Sequence, residues 1–160
     1  SALQMTATRA VLREDGSPAN PFDMGSGRIR VNLAANAGLL LDETAANFLA
    51  ANPATGGDPS TLNLASMAER VCAGSCQFIR RFRNPGNTSV NWTAAVSGLP
   101  GTVSPASFTV AAGGTVALTV TIDASTLPIN AAYQHGWLEL RKVGGTAADD
   151  LNLPISVSQP

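Results

Sequence analysis

Few side chains in this sequence could do chemistry, and the first to weigh are its two cysteines and one histidine. Cys72 and Cys76 enclose only Ala-Gly-Ser, and Gly74 lets that loop turn tightly enough to bring the two Cβ atoms together. The expectation is a local disulfide, a clip that stabilises by roughly 2 kcal/mol on the chain-entropy model and implies an oxidising compartment. A zinc site would need two further ligands, and His135 is the only histidine. A thioredoxin-like motif has two residues between its cysteines, whereas this pair has three. No metal and no cofactor is expected.

The remaining candidates read as structural. Ser66 lies in Ser-Met-Ala within "ASMAER", but no glycine stands two places before it and no proline follows. His135 would be the base of any triad; beside Gly136 and Trp137 it reads as an exposed or hydrogen-bonded strand residue. Asp149 and Asp150, near Gly144 and Gly145, read as solvated carboxylates in a hairpin tip rather than a calcium loop. Arg80, Arg81 and Arg83 read as a charged edge that discourages strand addition. Asn87-Thr88-Ser89 and Asn91-Trp92-Thr93 are acceptor sequons, meaningful only in a glycosylating source.

The elements that must position these residues differ along the chain. Of 160 residues, 44% are hydrophobic and only 13% charged, with a net charge of −1, a balance that suits a secreted β-rich protein and offers no basic surface to nucleic acid. No apolar run reaches the length of a membrane span and no leader opens the chain. Residues 1–50 read as a short helix and loop segment. "SALQMTAT" looks like the end of a helix, "REDGSPANPFDMGSGRIRVN" is turn-rich, Asn32 can cap "LAANA" with Gly38 closing it, and "ETAANFLAAN" adds a turn or two. Residues 51–60 read as a linker and residues 61–160 as the β domain.

In that last part the period becomes two. Val90, Trp92, Ala94 and Val96 fall on one face, as do Val116, Leu118, Val120 and Ile122, and Leu151, Leu153, Ile155 and Val157. "QFIRRFRN", "SFTV" and "HGWLELRK" are weaker strands, and Pro85 and Gly86 mark a turn. The spacing predicts a mainly β fold, an antiparallel sandwich of about seven strands, with the last strand placed at an edge or bulge by Pro154. Trp92 should be core, and Trp137 is expected against the N-terminal segment.

"NPFDMGSGRIRVNLAANAGLLLDET" resembles the closing stretch of the catalytic domain of subtilisin-like serine proteases. "SALQMTAT" is similar to the helix just upstream in that family, and "LNLASM" to the lead-in of its C-terminal fibronectin type III-like domain. "RRFRNPGNTSVNWTAAV", "GTVSPASFTVAAGGTVALTVTI", "GWLEL" and "LNLPISV" resemble that domain's strands. The resemblance implies that residues 1–50 are a catalytic-domain tail, that residues 61–160 are fibronectin type III-like, and that the Asp, His and Ser of the triad lie before Ser1. It implies a non-catalytic accessory region of a secreted endopeptidase, partnered by the upstream catalytic domain. The alternatives are a secreted binding module for carbohydrate or a cell surface, and a structural spacer; aromatic content of 5% speaks against a stacking platform for sugars. Leu3, Met5, Phe22, Ile29, Val31, Leu39, Leu40 and Leu41 need a partner in either case. They must dock on the sandwich, pair with another copy, or lack order.

Overall fold

The computed structural model describes residues 1–129 and 132–160. In chain order the strands are β1 (Leu40–Leu41), β2 (Met67–Glu69), β3 (Ser75–Arg83), β4 (Val90–Ser97), β5 (Gly101–Ser104), β6 (Ser107–Val110), β7 (Thr115–Asp123), β8 (Gln134–Lys142) and β9 (Leu151–Val157). The helices are α1 (Ala2–Met5), α2 (Pro21–Met24), α3 (Val31–Ala34) and α4 (Ala45–Ala50). The fold is mainly β with short helices, as the period-two pattern predicts. The strands form a four-stranded sheet in the order β1-β3-β7-β5 and a five-stranded sheet in the order β2-β9-β8-β4-β6.

Two features correct the seven-strand antiparallel expectation. The described residues form nine strands, and β2 runs parallel to β9 through the pairs Met67↔Ile155, Ala68↔Ser156 and Glu69↔Val157. The extra strands are too short to show a period: β1 and β2 together contribute five residues, two plus three.

Alternation places the core where the sequence indicates. Leu118, Val120 and Ile122 of β7 face Trp92, Leu138, Leu140, Leu153 and Ile155 of the other sheet in one buried cluster. Strand β9 is buried along most of its length, including Pro154 and Ser156. The reason is its cover: α1 and α2 pack on it from outside. Its backbone also explains Pro154. Ser158 N–H donates to Glu69 O, so even-numbered residues here point toward β2, and Pro154 stands one residue before the first pair, Met67↔Ile155. The missing N–H therefore falls where the ladder has not begun.

Met5, Ala37, Leu39 and Leu41 join the same buried cluster, so the N-terminal segment docks on the sandwich in cis. Leu3, Phe22, Ile29 and Val31 stay exposed. Arg9 pairs with Glu139 at 3.0 Å and lies 5.0 Å over the Trp137 ring, fastening this segment to β8. Asn20 caps α2 reciprocally with Asp23, and Pro21 occupies the first helical position. The cap expected of Asn32 does not form. Helix α3 starts two residues earlier, at Val31 with Arg30 in the cap position, and Gly38 instead admits Trp92, whose Cζ2 would lie 2.8 Å from an added Cβ.

The β3–β4 connection is held by a buried amide. Asn84, 1% exposed, donates from Nδ2 to Thr88 O, Val110 O and Ala111 O and accepts from Gly86 N–H. It thereby ties the end of a strand in one sheet to β6 in the other. Asn84→Ala strands these acceptors without a donor and should destabilise the fold by about 2 kcal/mol, read as a lower urea midpoint at unchanged slope.

Candidate functional site

The alternation of β3 turns Phe78, Arg80 and Phe82 inward and Gln77, Ile79, Arg81 and Arg83 outward. An arginine on the inward face is the consequence. Arg80 is 2% exposed, so it is not part of the charged edge that its sequence neighbours suggest. Its Nε donates to Leu64 O at 2.8 Å, Nη1 to Ile79 O at 2.8 Å and Nη2 to Ser66 O at 2.7 Å. Burial pushes its pKa down to about 10, with the charge of Glu43 opposing the shift. The group stays cationic at neutral pH, and charge-assisted bonds to carbonyls offset its desolvation.

Those bonds pin the crossover of residues 62–66 against β3. Asn63 extends the seam: its Oδ1 accepts from Arg81 N–H at 2.8 Å and its Nδ2 donates to Arg81 O at 2.8 Å. One side chain thus replaces a strand residue at that position. Asn63 N–H in turn donates to Glu43 Oε2 at 2.6 Å, and Glu43 also accepts from Thr44 N–H and Asn47 Nδ2. These donors, Asn63 first, hold the Glu43 carboxyl below its ordinary value. Arg83 pairs with Asp42 at 2.6 Å.

The remainder of the β3 edge is open. Asn84 N–H donates to Gly114 O, continuing the ladder toward β7, so even-numbered residues face β7 and odd-numbered ones face away. Strand β1 covers only Phe82 and Arg83, and Asn63 covers Arg81. Ile79 O is taken by Arg80, and Ser75 N–H donates to Ala73 O. Among the described residues, no partner is recorded for Ile79 N–H, Gln77 N–H, Gln77 O or Ser75 O. A groove of about 610 Å³ runs beside them, with Gln77, Ile79 and Arg81 on one side and Glu43, Asp58 and Asn63 on the other. Ile79 is 52% exposed there, and the exposed Arg81 guanidinium has no recorded partner among the described residues.

The residues singled out in the sequence lie elsewhere or serve the scaffold. Cys72 and Cys76 are joined as a disulfide with their Cα atoms 5.3 Å apart, and Gly74 turns between them at φ 75°. Ser66 is exposed and contributes its carbonyl to Arg80; its hydroxyl has no recorded bond to a histidine. His135 Nδ1 lies 2.9 Å from Ser156 Oγ, and its ring meets the edge of Phe22 at 4.9 Å. Burial lowers the His135 pKa against the pull of Asp23. This is no catalytic dyad: Ser156 is 3% exposed, and the Asp23 carboxylate is engaged by Asn20 N–H and Arg13. Asp149 closes its own turn by accepting from Thr146 N–H and Oγ1. Among the described residues, no cluster of metal-ligating side chains and no catalytic triad occurs. Sequence reasoning missed the open edge because "QFIRR" alone shows neither which arginine turns inward nor where β1 stops.

No family model matches the chain, and no curated protein matches it. Solved structures do. The chain is similar to the YadV chaperone at 11% identity and a TM-score of 0.52, covering 76% of this chain and 52% of that one. It is similar to the Pseudomonas aeruginosa CupB2 chaperone at 16% identity and a TM-score of 0.49, covering 60% and 53%. It is also similar to the periplasmic chaperone SfaE at 8% identity and a TM-score of 0.49, covering 59% and 55%. The chain spans about half the length of these chaperones, and the likeness is one of fold.

The fold likeness to the YadV chaperone, with no family model and no curated protein matching as a subtilase, overturns the subtilisin-like reading, with its fibronectin type III-like domain, its role as a protease accessory region and its upstream catalytic partner. The residues that carried the resemblance have local roles here. "NPFD" is a helix-capping box, and "LNLASM" is the crossover that Arg80 and Asn63 hold.

Two predictions follow from the Arg80 seam. Arg80→Ala leaves the Leu64 and Ser66 carbonyls without their donor and should cost about 3 kcal/mol; Arg80→Lys should recover only part of it, since an ammonium cannot span three carbonyls, and chemical denaturation measures both. The Glu43 pKa is depressed in the fold, so its contribution is present above the ordinary value of about 4.3 and is lost as pH falls through the lowered folded value. Amide protection at Asn63 and Arg81 should fall over that acidic window in hydrogen exchange, and Glu43→Gln should remove the dependence.

Proposed function

We propose that this chain is a non-catalytic binding module of an exported protein, and that it binds an extended polypeptide along the open edge of β3. The observation that carries this reading is the run of unpartnered backbone groups from Ser75 O to Ile79 N–H beside a groove. An extended chain adding there gains main-chain hydrogen bonds, while side-chain contacts at alternate positions set selectivity. Ile79 offers an apolar contact and Arg81 an exposed cation, so the ligand strand should carry an apolar residue and an acidic residue.

A polypeptide fits this groove better than a carbohydrate. Sugar sites rest on exposed aromatic rings, and the one ring lining the groove, Phe78, is buried. A fold similar to that of a chaperone is in keeping with a polypeptide ligand. The Cys72–Cys76 bridge belongs to the same reading, because such a bond persists in secreted or periplasmic surroundings. Among the described residues, no helix is long and apolar enough to cross a membrane.

Selection from a library of linear peptides tests the proposal. Binders should emerge with an apolar and an acidic residue in alternation. Gln77→Pro removes one outward N–H while leaving the ladder to β7 intact, and it should weaken those binders at least tenfold with cooperative unfolding retained. Failure to select any linear binder, or binders indifferent to Gln77→Pro, would refute the reading.

A further inference from the structure

The open groups on β3 are self-complementary, and we infer that the strand received by this edge is β3 of a second copy, paired antiparallel about a two-fold axis at Gln77. The inference rests on the strand-binding reading above and names its partner. In an antiparallel ladder, a hydrogen-bonded pair exchanges two bonds, and the next such pair lies two residues along each strand in opposite directions. Centring the axis on Gln77 makes Gln77 N–H donate to the second copy's Gln77 O and receive the reciprocal bond. The adjacent bonded positions are then Ile79 of one copy and Ser75 of the other.

A full pair there would need Ile79 N–H to Ser75 O and Ser75 N–H to Ile79 O. The second of these is already satisfied within each chain, because Ser75 N–H donates to Ala73 O at 2.9 Å and Arg80 Nη1 donates to Ile79 O at 2.8 Å. The first is open at both ends. Every unpartnered group on this stretch therefore finds its complement in the same stretch of another copy, and no occupied group is asked to bond again. A register shifted by two residues would place an open donor or acceptor against an occupied one.

Opposite Arg81, where Asn63 already occupies the edge, the second copy would present residue 73, which lies before the turn at Gly74 (φ 75°) and so outside its β3. Ser75, Gln77 and Ile79 are all exposed, so no buried side chain must move. The contact differs from any formed by the exposed N-terminal residues Leu12, Phe22, Ile29 and Val31, which lie outside this edge.

Charge placed at the axis tests the inference. Facing residues of an antiparallel pair stand within about 5.5 Å, so Gln77→Lys sets two like charges opposite each other, as does Gln77→Glu. Sedimentation of the 160-residue chain should show a concentration-dependent dimer. Each variant alone should dimerise at least tenfold more weakly, and an equimolar mixture of the two should restore the dimer as a heterodimer. Circular dichroism of each variant checks that the fold is retained.

A chain that stays monomeric at all accessible concentrations would overturn the inference, as would a dimer indifferent to both variants. The second outcome would place the contact on another surface. If the chain is monomeric but linear peptides still bind and are displaced by Gln77→Pro, strand capture stands and only its partner is misassigned; if neither binding nor dimerisation occurs, both readings fall.

Discussion

The arrangement of this molecule depends on one cation held inside it. Arg80 reaches from the inward face of β3 to the carbonyls of Leu64 and Ser66, and so fixes the crossover that carries the chain from one sheet to the other. A buried guanidinium is costly to desolvate, and no carboxylate is recorded in contact with it. The cost is offset because three of its donors meet carbonyls in charge-assisted bonds, those of Leu64, Ile79 and Ser66. Remove the cation and, among the described residues, the crossover keeps only the Asn63–Arg81 pair as its hydrogen-bonded tie to β3. The wall of the groove would then rest on that pair and on buried Leu62 and Ala65.

The same crossover decides how the two sheets close. Leu62, Ala65 and Met67 are buried where the chain passes between them, and Met67 opens the parallel pairing with β9. Strand β9 is then covered from outside by α1 and α2, which buries most of it on both faces where a surface strand would expose one. This explains why Met5, Leu39 and Leu41 share one core with Trp92 and Phe82. The N-terminal segment is less an appendage than the outer layer over β9, which lies inside its sheet between β2 and β8.

Much of this was legible in the sequence. The long strands announced themselves by period two, and Trp92, Leu118, Val120, Ile122, Leu153 and Ile155 took the buried positions that alternation assigns. What was not legible has a common physical origin. Strands β1 and β2 are shorter than one period of evidence, α3 is set by docking rather than by a capping side chain, and the inward turn of Arg80 contradicts its composition. Asn84 is read only as the last residue of the strand "QFIRRFRN" before the Pro85-Gly86 turn, yet its side chain bonds across to the other sheet. The family resemblance failed for a related reason. Capping boxes, glycine turns and alternating strands are local solutions that unrelated sandwiches can share, so their order along a chain constrains ancestry less than it constrains local structure.

The open edge of β3 is best judged against the other edges of the same sheets. Sandwiches protect exposed edges by keeping them short or by covering them. Here β1, β2, β5 and β6 have two, three, four and four residues, and each ends an edge with little free ladder. Strand β3 has nine residues and would be the most exposed template for pairing. Its C-terminal half is closed by three separate devices: β1 at Phe82 and Arg83, the Asn63 amide at Arg81, and Arg80 curling back to Ile79 O. Protection this dense would be expected to continue to the strand's start if aggregation were the only concern. It stops at Ile79 instead. The disulfide loop and the turn at Gly74 then cap the far end, leaving a bounded stretch that admits a few backbone bonds in one register. An edge closed at both ends and open in the middle selects its partner by register, where a fully open one would take any extended chain.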